Sequence, residues 1–196
     1  MKDNKNRQIR SIREFTPFLF LLILMTLPGY SQNKKVELLG AKALYGTVYK
    51  GQPVRKLVGD VVFRQGNIMM YCDSSYQYEK NSDMEAFSNI RIIKSDSQSI
   101  SGGQHMYYTA ETRVAKITGP EVHLISGSLN LYTTVLDYNL GTDISNYYNR
   151  GTVIDKENKL ISDIGTYFRR QNNFIFIRKV VFNDKKHTIY TDTLEY

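Results

Sequence analysis

The chain has 196 residues, 41% hydrophobic and 23% charged, a composition that supports one domain with a sizeable core and excludes a disordered tail. Its net charge of +7 comes without a Lys/Arg run of nucleic-acid type, and its single cysteine, Cys72, excludes an internal disulfide. Fifteen Tyr, nine Phe and no Trp, alongside many Ile, Val and Thr, favour half-buried strands over helices.

In chain order, a basic and polar stretch ends in "FLFLLILMTL" (18–27), an apolar run well short of the roughly 20 residues a spanning helix needs. Gly29 and Ser31 then supply small residues at −3 and −1 for cleavage before Gln32. This order predicts a signal peptide over 1–31, export, and a mature domain over 32–196; no Cys follows the run, as lipoprotein processing would require. The segment holds five basic and two acidic residues, so its removal lowers the net charge from +7 to +4. So mild a charge suits an anionic lipid headgroup or membrane surface and offers nothing to nucleic acid.

The rest of the chain repeats itself. "IMMYCDSSYQY", "SISGGQHMYY", "NLYTTVLDY", "KLISDIGTY" and "TIYTDTLEY" align so that Met70, Ile100, Leu131, Leu160 and Ile189 recur at spacings of 30, 31, 29 and 29. Two positions later stands a small residue, Cys72, Gly102, Thr133, Ser162 or Thr191, and an aromatic follows at Tyr107, Tyr138, Tyr167 and Tyr196. In the first copy Tyr76 and Tyr78 flank the aromatic slot, and "VELLGAKALY" (36–45) reads as a degenerate leading copy with Leu38 and Tyr45 in register. A second row lies seven to ten residues upstream: Val61/Phe63, Ile90/Ile92, Val122/Leu124, Val153 and Val180/Phe182, pairs at period two. A weaker third row at Leu57, Ala86 and Ala115/Ile117 suggests an approach strand. The unit is thus about 30 residues holding two or three short strands, the mark of a stack whose repeats cannot bury their apolar faces alone. The aromatic stands at an odd separation from the first row, so a bulge or corner must lie between them.

These residues resemble a known family. The leader, "VGDVVF" with "MYCDSSYQY", "AFSNIRI", "AKITGPEVHL" and "YTDTLEY" are similar to the OstA-like, LptA-type lipopolysaccharide transport proteins over 36–196. The resemblance implies an all-β, repetitive antiparallel β-taco or β-jellyroll stack, a periplasmic location, and lipid A acyl chains of lipopolysaccharide held along the apolar inside. It also implies related β-repeat transport proteins as partners joined end to end. The implied lining is Val61, Phe63, Met70, Ile90, Ile92, Ile100, Val122, Leu124, Leu131, Val153, Leu160, Val180, Phe182 and Ile189. The chain stops at Tyr196 on a repeat boundary with no polar cap, as a segment of a longer repeat protein would; otherwise its last strand offers an edge for pairing with another copy, giving a homo-oligomer.

No catalytic group, metal or cofactor is expected. His105, His123 and His187 fall at unrelated repeat positions, and Asp73, Asp163 and Asp192 recur at one turn position, where hydrogen bonding explains them better than acid/base work. Cys72 occupies a slot elsewhere filled by Gly, Ser or Thr, so it reads as small-residue packing. The competing readings are an exported parallel β-helix that binds or cleaves glycans, and a structural repeat of a surface adhesin.

Overall fold

The computed structural model describes residues 35–94 and 98–196; the predicted leader lies outside them. The described chain forms strands β1 (Glu37–Gly40), β2 (Ala43–Tyr49), β3 (Gln52–Gln65), β4 (Ile68–Tyr78), β5 (Met84–Lys94), β6 (Gln98–Thr109) and β7 (Val114–Ser126). It continues through β8 (Leu129–Asn139), β9 (Ile144–Tyr147), β10 (Gly151–Asp155), β11 (Asn158–Ser162), β12 (Ile164–Phe168), β13 (Asn173–Asn183) and β14 (Thr188–Glu195). The helical element among the described residues is a 3-10 turn at Arg169–Gln171. All the pairings are antiparallel, which excludes the parallel β-helix alternative.

The strands are longer than the repeat pattern suggests, and each is bent. Pairing of β3 with β4 runs from Val54↔Tyr78 to Val58↔Ser74, skips, and resumes at Val61↔Cys72. The same skip recurs between β5 and β6, β6 and β7, β7 and β8, and β13 and β14. Elsewhere the bend breaks the strand outright: β1 and β2, β9 and β10, and β11 and β12 are halves of single bent strands, and each half pairs with its own half of a neighbour. At several corners the backbone turns through left-handed residues, as at Gly59/Asp60, Ser88/Asn89 and Arg178/Lys179. The third row therefore does not mark a separate approach strand. Leu57, Ala86, Ala115 and Ile117 lie beyond the corner on the same strands as the second row.

The corner also switches parity. In β8 the buried set is Leu129, Leu131 and Thr133 before the bend, then Leu136 and Tyr138 after it. A one-residue slip in an alternating strand would turn its apolar face to solvent; the corner returns it inside.

The bends fold the sheet onto itself. From Gln98 to Tyr108 on β6 a flat strand would run about 33 Å. Yet Tyr108 Oη donates to Gln65 Oε1 on the row of Gln98, and Lys94 on that row is ion-paired to Asp143 beyond the far end of β8. The two halves are thus facing walls, joined by backbone along the corner and by side chains along the opposite seam. One hydrophobic cluster fills the space between them, from Val36 and Leu57 to Phe176 and Val180.

Candidate functional site

Across the first wall the predicted lining forms one continuous cross-strand ladder. Phe63 pairs with Met70, Met70 with Ile92, Ile92 with Ile100, Ile100 with Leu124 and Leu124 with Leu131. Leu131 pairs with Val153, Val153 with Leu160, Leu160 with Phe182 and Phe182 with Ile189. At about 4.8 Å per strand these ten positions extend for about 43 Å. Nearer the corner runs a second row that mixes the predicted apolar residues Val61, Ile90, Val122 and Val180 with small ones: Val61↔Cys72, Ile90↔Gly103, Val122↔Thr133 and Val180↔Thr191. Of the fourteen predicted residues, twelve are buried, Phe182 is partly buried, and Ile189 is 47% exposed, on β14, which among the described residues has a neighbour on one side only. Arg91 stands on the outer face, with its guanidinium over the Tyr71 ring at 4.5 Å.

Three repeat assignments shift by one residue. The inward small residue of the second copy is Gly103, because Gly102 is spent on the bend: its φ is +80°, and a Cβ there would lie 2.2 Å from the Glu121 carbonyl oxygen. The inward aromatic of that copy is consequently Tyr108, while Tyr107 is 40% exposed. In the leading copy the register of the aromatic row falls on Gly46, opposite Arg55, rather than on Tyr45.

The opposite wall contributes Met84, Met106, Leu136, Tyr147, Phe174 and Phe176, which the repeat comparison had not singled out. Period-two alternation around Met84 and Met106 carried part of their sequence signal, whereas "FIFI" (174–177) is apolar throughout and does not show by itself which residues turn inward. Tyr167, Phe174 and Phe176 stack in sequence, with centroids 4.3 and 5.0 Å apart. Tyr147 reaches across the corner: its hydroxyl lies 2.7 Å from Ser162 Oγ, which itself donates to the Ile164 carbonyl at 2.7 Å. Burial pushes the Tyr147 phenol up to about 12 and the Cys72 thiol up to about 12, so both are neutral groups of the interior.

Along the seam, polar side chains join the walls. Tyr138 Oη lies 2.7 Å from Gln98 Oε1 and 2.9 Å from Asp143 Oδ1. Tyr167 Oη lies 3.2 Å from Ser126 Oγ, and Tyr196 Oη donates to Asp155 Oδ2 at 3.1 Å while accepting from Asn158 Nδ2 at 3.0 Å. Burial opposes charge on the Asp143 carboxyl, but hydrogen bonds from Lys94 and Tyr138, with the Lys94 charge, outweigh it and hold the group below the usual carboxylate range. On the corner ridge Asp73 accepts from Asn89 Nδ2 at 2.7 Å, a hydrogen-bonding role of the kind expected for the recurring aspartates.

A folded antiparallel sheet enclosing a continuous apolar ladder between corner and seam defines a β-taco protein. The family model described as OstA-like protein matches residues 33–192, and the chain belongs to that family. Among solved structures it is similar to LptH, the LptA-homologous periplasmic component of the lipopolysaccharide transport device of Pseudomonas aeruginosa. That alignment has 11% identity and a TM-score of 0.29, and covers 84% of this chain and 96% of that one. A second similarity, to the TCP10 domain of CPAP from Danio rerio, has 11% identity and a TM-score of 0.15 over 76% of this chain and 99% of the other. Neither alignment is close enough to carry information on ligand or partner. No curated protein matches the chain. Among the described residues no helix is long and apolar enough to cross a membrane.

Proposed function

We propose that this protein holds the acyl chains of a lipopolysaccharide-type lipid between its two walls, and that it acts in the periplasm as one segment of an end-to-end route toward the outer membrane. The observation that carries this reading is the ladder from Phe63 to Ile189, ten paired apolar side chains with no ionisable group among them. A lipid crossing water must hide its chains, and at about 0.8 kcal/mol per buried CH₂ a fourteen-carbon chain represents on the order of 10 kcal/mol before ordering costs. A ladder of near-equivalent rungs suits movement better than one deep pocket does. Membership of the OstA-like family agrees with this role, and nothing in it requires a catalytic group.

The test is photo-crosslinking to labelled lipopolysaccharide from position 131, on the ladder, and from position 91, on the outer face. Labelling is expected from 131 and not from 91, and equal labelling would refute the assignment of faces. In the same assay Leu131→Asp should abolish most loading while Arg91→Asp should leave it unchanged, because an unpaired carboxylate is strongly disfavoured between apolar walls.

A further inference from the structure

The walls are held together differently on their two long sides. At the corner they share backbone; at the seam they share side-chain hydrogen bonds, and these bonds repeat. Tyr108, Tyr138, Tyr167 and Tyr196 stand 30, 29 and 29 residues apart, the spacing of the structural unit. Each places its hydroxyl on a group at or beside a hairpin end of the facing wall: Gln65, Gln98, Ser126, and the Asp155/Asn158 pair. The partner lies 43, 40, 41 and, through Asp155, 41 residues back in the chain, so each unit clasps the one before it.

We propose that these four tyrosines are a row of latches closing the seam, and that a multi-acylated lipid enters between the walls by releasing them in succession rather than by threading from an end. The proposal rests on the lipid reading above. Three observations favour the seam as the side that opens. Opening there breaks side-chain hydrogen bonds that water replaces, whereas opening at the corner would break the β-ladder itself. The groups exposed are polar tips, while the apolar ladder lies deeper. The closed seam also leaves a group wanting: Gln98 Nε2 is buried without a hydrogen-bond partner among the described residues, and it gains water when the seam parts.

The test uses the full chain with Cys72→Ser, a change matched by Ser162 in the equivalent slot, and fluorescent lipopolysaccharide in detergent micelles as the probe. Tyr138→Phe/Tyr167→Phe removes two hydroxyls and keeps both rings; it should load roughly three- to tenfold faster. Ser126→Cys/Tyr167→Cys joined by a short bis-maleimide should load at less than a tenth of the rate of the same variant unjoined. Hydrogen exchange of the 126–129 amides without lipid should be faster in the Phe pair than in the parent. Equal loading by the joined and unjoined forms would show that lipid comes in from an end and would overturn the proposal. If the parent takes up no lipid at all, the lipid reading falls and the route in falls with it. The exchange comparison would then still report whether the tyrosines clasp the seam.

Discussion

Tyr147 shows how closely single residues fit this interior. Its ring lies where side chains at both Gly151 and Gly165 would be: a Cβ at these positions would come within 2.6 and 2.4 Å of ring atoms. Buried and tied to Ser162, the ring cannot swing away without breaking a hydrogen bond. Gly165→Ala should therefore cost about 1–3 kcal/mol by overpacking, read as a lower urea midpoint at unchanged slope. Gly46→Ala on β2, with nothing near its added methyl, should stay within about 0.5 kcal/mol of the parent. Asp143 makes a second residue-scale prediction. Because its folded pKa is depressed, its contribution is complete above the unfolded carboxylate value near 4 and is lost as pH falls through the lower folded value. Asp143→Asn should destabilise the protein by about 3 kcal/mol at pH 7, since Lys94 is left buried without its partner, and the variant should lose less further stability than the parent between pH 5 and 3. At the other extreme Tyr108 and Tyr147, both pushed up to about 12 by burial, favour the fold below the unfolded phenol value near 10. That stability should drain away as pH rises from about 10 to 12, visible as phenolate absorbance appearing together with unfolding.

At the scale of elements, the working part is a bent strand rather than a flat one. Each bent strand gives one stretch to the ladder wall and one to the aromatic wall, and its corner supplies the left-handed residues that reset which side chains face inward. Strands with a neighbour on both sides throughout, β5 to β7, carry fully buried ladder positions, whereas β14, among the described residues, pairs with β13 alone and is exposed along most of its length. Native-state hydrogen exchange should follow that division, with β5–β7 amides opening only at free energies near global unfolding and β14 amides exchanging through low-energy fraying. Uniform protection across the sheet would contradict it. A single tyrosine latch, at about 0.5–1.5 kcal/mol, is weak beside one buried acyl chain, and that ordering is what a releasable seam requires.

For the whole molecule, the two ends of the sheet differ from its flanks. One end is β14; the other is β1 and β2, which among the described residues pair with β3 alone. Phe174 and Tyr196 exchange both backbone hydrogen bonds, so by alternation the N–H groups of Leu194 and Tyr196 face β13 and those of Thr193 and Glu195 face away from it. Thr193 N–H is occupied by Thr191 Oγ1 at 3.4 Å, which leaves Glu195 as the cleaner probe of the edge. If copies add head to tail through this edge, sedimentation should show concentration-dependent association that Glu195→Pro abolishes without lowering the melting temperature by more than a few degrees. A strict monomer at high concentration would rule out pairing between copies through β14.

The sequence alone carried the strands, the 30-residue period and both inward rows of the first wall, because alternation at period two and recurrence of apolar types are local signals that survive without coordinates. It carried the need for a corner too, in the odd separation between Leu131 and Tyr138, for instance. What it could not carry is anything that depends on which strands meet across the fold. Gly102 and Gly103 are adjacent in sequence, and only the backbone shows that the first makes the bend while the second faces inward, moving the buried aromatic from Tyr107 to Tyr108. The pairing of Lys94 with Asp143, 49 residues apart, and of each tyrosine with a hairpin some 40 residues back, has no local pattern at all. Those contacts exist because twisted strands, folded at their corners, bring one unit's far end against its predecessor's turn, and that offset is a property of the closed sheet rather than of any segment within it.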